Sequence, residues 1–102
     1  MGISVSRIGD VGKGYCSCGG DPPHGNQSGV IISASENVFT NGLPTGIITS
    51  VVKADCGHTS VIVSGSSSVF VNGLGIAYIG SHFSGSCWNG NIVSGSGDVF
   101  SG

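Results

Sequence analysis

Three features of the sequence predict an all-β fold of short strands with approximate threefold character. Valine and isoleucine supply 22 of the 102 residues, against two leucines, three alanines and one methionine. β-Branched side chains favour strands, whereas the 20 glycines are unfavourable inside helices. One segment recurs: Ile32–Gly42 is matched by Val63–Gly73 and Val93–Gly102, each reading Ser-x-Ser-x-x-Val-Phe. Its phenylalanines Phe39, Phe70 and Phe100 stand 31 and then 30 residues apart, an interval typical of one supersecondary unit repeated along the chain. The first two Val-Phe pairs run on into Asn41-Gly42 and Asn72-Gly73, which signal tight turns.

A second element repeats around the first. Arg7-Ile8-Gly9-Asp10 has counterparts in Gly46–Ser50 and Ala77–Ser81. Val30–Ile32 and Ser60–Val63 read as brief strands followed by Ser/Gly turns. Val38–Thr40 and Val69–Val71 read as strands entering the Asn-Gly turns, and Leu43 and Leu74 lead into further short apolar segments. No segment has a helical period, and residues 10–29 and 50–60 read as loops. The first unit lacks a preceding Val-Phe strand and the last lacks a following segment, so about two and a half repeats are expected to close on themselves. Residues 1–102 read as a single domain, small enough that some stabilisation beyond its apolar core is expected. Phe39, Phe70 and Phe100, one per repeat, are expected to pack in that core.

Charge excludes several function classes. Only eight residues are charged, and the basic Arg7, Lys13 and Lys53 are scattered, so no nucleic-acid footprint exists. The net charge of -2 and the frequent apolar residues also argue against disorder. No apolar run approaches the roughly 20 residues needed to span a bilayer, and no secretory signal is expected. No motif points to a small-molecule substrate.

The histidines and cysteines fall in step with the repeats. His24 lies before Val30–Ile32, His58 before Val61–Val63, and His82 and Cys87 before Ile92–Val93. About a pseudo-threefold axis these loops converge, and three imidazoles with one thiolate make a tetrahedral zinc site. Cys56, two residues from His58, is an alternative ligand in place of His82 or Cys87. Cys16 and Cys18 are too close to pair comfortably with each other; each is free to pair elsewhere, bind metal or pack locally in its loop. Trp88, next to Cys87, is expected to shield the metal loop. Four protein ligands leave no open position, which argues for a structural ion rather than a hydrolytic one. Metal binding would then add to folding stability.

The repeated Ser-x-x-Val-Phe-x-Asn-Gly pattern and the Ile-Gly-Asp element resemble the PAAR-repeat family over nearly the whole chain. Two departures stand out. Glu36, Ser67 and Gly97 lie where the family usually has proline, and the name-giving motif is reduced to Leu43-Pro44-Thr45-Gly46 and Leu74-Gly75-Ile76-Ala77. The resemblance implies a conical, non-enzymatic tip on the central spike of a contractile injection apparatus, either a phage tail or a type VI secretion system. It implies one structural zinc ion near the apex, with iron as the alternative, held by His24, His58, His82 and Cys87. It also implies one monomer capping the blunt end of a trimeric β-helical spike, with transient contact at a bacterial outer membrane. The location implied is the virion or a secreted spike tip, and a stand-alone tip is expected rather than an effector carrier. Two rival classes are a hydrolase using Cys56 and His58 and a disulfide-stapled Ser/Gly-rich β scaffold that binds a surface or carbohydrate.

Overall fold

The computed structural model describes residues 3–18, 24–35, 38–40, 42–66, 69–71, 73–95 and 100–101. Their strands are β1 (Ile3–Ser4), β2 (Val11–Cys16), β3 (Gly25–Ile31), β4 (Phe39–Thr40), β5 (Leu43–Pro44) and β6 (Val51–Ala54). The second half adds β7 (Thr59–Ile62), β8 (Phe70–Val71), β9 (Leu74–Gly75), β10 (His82–Ser84), β11 (Trp88–Ile92) and β12 (Phe100–Ser101). Three antiparallel hairpins, β2–β3, β6–β7 and β10–β11, join into a closed six-stranded barrel. Between them lie three two-stranded ribbons, β4–β5, β8–β9 and β1–β12. The third ribbon is made from both ends of the chain, with Ile3 opposite Ser101 and Ser4 opposite Phe100. The half repeats expected at the two ends therefore complete each other, in a molecule measuring 41 × 23 × 23 Å.

Backbone hydrogen bonds repeat with the same threefold pattern. The Ser6 amide donates to the Ala77 carbonyl at 3.0 Å, Ala77 to Gly46 at 2.8 Å, and Gly46 to Ser6 at 2.9 Å. This closed triangle marks the axis. Small residues are required there, since a Cβ on Gly46 would sit 3.3 Å from that of Ala77. Just beyond the triangle, the amides of Arg7, Ile47 and Tyr78 donate to the side chains of Asp10, Ser50 and Ser81. The residue before each acceptor has a left-handed backbone: Gly9 (φ 87°), Thr49 (φ 89°) and Gly80 (φ 99°).

The core follows the repeats as well. Ile31, Ile62 and Ile92 close each barrel hairpin and are buried, together with Val52, Phe83 and Trp88. Val5, Ile47, Val71 and Ile76 form a second apolar cluster.

Two expectations are corrected. Residues 10–29 and 50–60 contain β2, the start of β3, β6 and the start of β7, rather than loops alone. In β2 and β3 the inward positions include Gly12, Gly14 and Gly29, which mask the apolar alternation, and in β6 and β7 Ala54 and Ser60 weaken it. Gly14 faces Gly90 across β2 and β11, and a Cβ on Gly14 would collide with the Asn89 carbonyl. Phe39 and Phe70 are each 57% exposed instead of packing in the core. In a two-residue strand only one side chain can face inward, and Thr40 and Val71 take that position. The side chain of Phe100 lies outside the described residues.

Candidate metal centre

The barrel's pairing places all three hairpin turns at one end. β2 is antiparallel to β3 and β11, and the order β10-β11-β2-β3-β6-β7 makes β2, β6 and β10 run in the same direction. Residues 17–18, 24, 55–58 and 85–87, which follow those strands or flank the turns after them, therefore meet, and the ribbons lie toward the other end.

Four metal-ligating side chains converge at the turns. Cys16 is the last residue of β2 and is fully buried, and His24 immediately precedes β3 and is exposed. Cys56 and His58 belong to the β6–β7 turn and are half-buried. That turn is tight: the Gly57 amide donates to the Ala54 carbonyl at 2.9 Å, and the Ala54 amide donates to the His58 carbonyl at 2.8 Å. Gly57 has a φ of 98°, a conformation that glycine adopts without a Cβ clash.

The Cys16 sulfur lies 3.5 Å from His24 Nδ1 and 3.3 Å from His58 Nδ1. The Cys56 sulfur lies 3.3 Å from His58 Nδ1 and 3.6 Å from the Cys16 sulfur. All four donor atoms fall within 4.8 Å of one another. Metal–sulfur and metal–nitrogen bonds of about 2.3 and 2.0 Å set tetrahedral edges near ~3.8 Å between sulfurs and ~3.5 Å between sulfur and nitrogen. The donor atoms thus surround a space of the right size for a metal ion, and their soft and imidazole chemistry suits one. Burial pushes the Cys16 thiol up, and the neighbouring Cys56 sulfur adds to the rise against an opposing hydrogen bond from the Cys18 backbone.

The third hairpin is attached differently. Cys87 forms a disulfide with Cys18, linking the turn before β11 to the turn after β2. Their sulfurs also group with His58 within 4.8 Å, a second candidate set that shares its histidine with the first. Trp88, opposite Cys16 in the β2–β11 pairing, is fully buried and stacks on Phe83 at a centroid distance of 4.8 Å. It belongs to the same buried cluster as Cys16 and Cys87, against which Cys18 and Cys56 pack.

Of the residues singled out in the sequence, His24, His58 and Cys56 come together. Cys87 is nearby but disulfide-bonded. His82 is outside both groups: it opens β10, is exposed, and donates its amide to Ser64 Oγ at 2.8 Å. Val11 and Val51 occupy the same station, donating to Ser94 and Ser33. His82 therefore starts the first strand of its hairpin, whereas His24 and His58 directly precede a second strand. Cys16 is the residue that sequence reasoning left unassigned. Its signal was alternation, since Gly12, Gly14 and Cys16 form one face while Lys13 and Tyr15 form the exposed other face.

Asp10 is remote from the centre. It accepts from Arg7 Nε at 3.0 Å and from Ser94 Oγ at 2.9 Å. Desolvation pushes its carboxyl up, but these hydrogen bonds together outweigh burial and hold it below its ordinary value.

Comparison with known proteins agrees with this architecture. The family model described as PAAR motif matches residues 19–88, more than half of the chain. No curated protein matches it. The chain belongs to the PAAR-motif family, whose members are structural, non-catalytic domains.

Proposed function

We propose that residues 1–102 form one metal-stabilised tip domain that caps a trimeric β-helical spike in a contractile injection apparatus. One observation carries the metal part: Cys16, His24, Cys56 and His58 have donor spacings of 3.3–3.6 Å at the end where the turns meet. Two sulfurs and two imidazole nitrogens at such separations suit zinc, with iron as the alternative. An ion bound there adds its binding free energy to folding, because its ligands assemble only in the folded chain. Cys16 comes from the first hairpin and Cys56 and His58 from the second, so these side chains would tie two of the three turns together. In this ligand set Cys16 and Cys56 stand in place of the His82 and Cys87 expected from sequence.

The threefold backbone supports the partner. A monomer with three ribbons at one end can match the symmetry of a trimer, one copy per trimer. Phe39, Phe70, Val38, Val69 and Leu43 give that end exposed apolar surface, which docking would cover. Contact with a bacterial outer membrane would then be transient and made by the turn end. A virion or secreted spike is the corresponding location; among the described residues no helix is long and apolar enough to cross a membrane. The Cys18–Cys87 bond favours the disulfide-stapled scaffold as a second reading.

Native mass spectrometry of protein purified without added metal separates the two. One zinc per chain supports the tip, and an ion-free mass with both free cysteines still reduced supports the scaffold. Mixing with a trimeric β-helical spike tests docking: one chain per three spike chains is expected, and Phe39→Ser with Phe70→Ser should abolish it.

A further inference from the structure

Cys16 and Cys56 are the free cysteines among the described residues, and their sulfurs lie 3.6 Å apart. Beside them Cys18 and Cys87 are already joined. Both pairs lie within 4.8 Å of a His58 donor atom. Surroundings that oxidise the Cys18–Cys87 pair would oxidise a second, touching pair as well unless something protects it. Metal ligation does so, because a thiolate held by an ion is not free to attack a disulfide.

We propose that Cys16 and Cys56 are a second disulfide-forming pair, joined when their metal centre is empty in an oxidising compartment. The proposal rests on the metal reading for what keeps the pair reduced, but the pairing itself rests on geometry. The half-buried Cys56 reacts first. Its thiolate attacks one sulfur of a low-molecular-weight disulfide, that S–S bond breaks, and one thiolate leaves. The buried Cys16 then attacks the Cys56 sulfur of the mixed disulfide, and the second thiolate of the oxidant leaves. Two electrons pass to the oxidant, and the two protons lost by the cysteines end on its two thiols.

The pairing has a structural result. Cys16 belongs to the first hairpin and Cys56 to the second, while Cys18–Cys87 already joins the first to the third. Two disulfides would therefore fasten all three turns with no ion at all. The chain would carry two interchangeable ways of closing the same end.

The test uses the full chain and the variant Cys18→Ser/Cys87→Ser, in which one pairing alone remains. Each is first weighed by native mass spectrometry for bound ion, then kept as it is or stripped with EDTA. Both samples are incubated with oxidised glutathione, denatured and alkylated with N-ethylmaleimide. Ion-bearing protein should take up two maleimide groups. Stripped protein should take up none, and the stripped variant should be two hydrogens lighter than its reduced form. Two maleimides on stripped protein, or a lasting glutathione adduct on Cys56, would overturn the proposal. Should the variant fail to fold, the alkylation count of the stripped natural chain decides in the same way. A protein that arrives without an ion defeats the metal reading alone. A Cys16–Cys56 bond in that protein still supports the pairing, and free thiols after oxidised glutathione overturn it.

Discussion

At the ribbon end of the molecule one backbone pattern is written three times with little change, whereas at the turn end the three hairpins carry three different sets of side chains. The Ser6, Gly46 and Ala77 triangle uses only peptide groups, as do the hydrogen bonds from Gly9, Thr49 and Gly80 to the carbonyls of Ile31, Ile62 and Ile92. The turn end relies on sulfur and imidazole: a Cys2His2 cluster between the first two hairpins and a disulfide to the third. Backbone bonds tolerate sequence drift, so the symmetric end stays symmetric. Side-chain cross-links need particular residues at particular stations, and here one cluster and one disulfide share the end. Symmetry of backbone thus coexists with asymmetry of chemistry.

That contrast can be broken most severely at the cluster. Cys16→Ser should abolish metal binding and lower the melting temperature by about 10 °C or more, since several kcal/mol of linked binding are lost in a domain of this size. His82→Ala should change stability by less than about 0.5 kcal/mol and leave the bound ion in place. Thermal unfolding with and without chelator measures both, and metal loss in the His82 variant would restore the ligand set expected from sequence. Next comes the disulfide, which closes a loop with a sequence separation of 69. Cys87→Ser should cost about 2–4 kcal/mol in denaturant unfolding under non-reducing conditions, and the difference should vanish when both proteins are reduced.

Smaller effects sharpen the comparison among the repeats. Where two repeats use Ser50 and Ser81, the first uses Asp10, whose carboxyl is held below its ordinary 3.8. A lowered folded-state value means that the folded chain binds the proton less readily than the unfolded one. The stabilisation is therefore full above about pH 5 and fades as pH falls through the folded value. Asp10→Asn should cost roughly 1 kcal/mol at pH 7 and progressively less as the pH is lowered through the folded value, measured by urea unfolding across that range. Thr49 alone among its equivalents has a β-branched side chain at positive φ. Thr49→Gly should raise stability by about 0.5–1 kcal/mol, a gain readable in the urea midpoint.

Much of this plan is visible in the amino-acid order. The Ser-x-Ser-x-x-Val-Phe copies foretold the ribbons and the threefold winding, and His24 and His58 lie at the end where the candidate Cys/His cluster gathers. The barrel strands were harder to see because Gly12, Gly14 and Gly29 occupy positions where a strand ordinarily shows valine or isoleucine. Cys16 was hidden by the same cause, since its inward face becomes legible only once residues 11–16 are recognised as a strand. His82 falls close to Cys87 in sequence, but the short β10 takes up the interval and leaves the histidine at the strand's start. Which cysteines pair depends on distances across the barrel, and no count of residues supplies those.

The ribbon built from both chain ends carries one more consequence. Because Ile3 lies opposite Ser101, residues 3–101 lead back to their own start, and the third ribbon matches the other two although its strands are far apart in sequence. Equivalence among the ribbons thus does not depend on whether a turn joins the two strands. A permuted version of residues 3–101, with a short linker joining Ser101 to Ile3 and an opening between β4 and β5, would preserve every barrel hairpin and every cross-link at the opposite end.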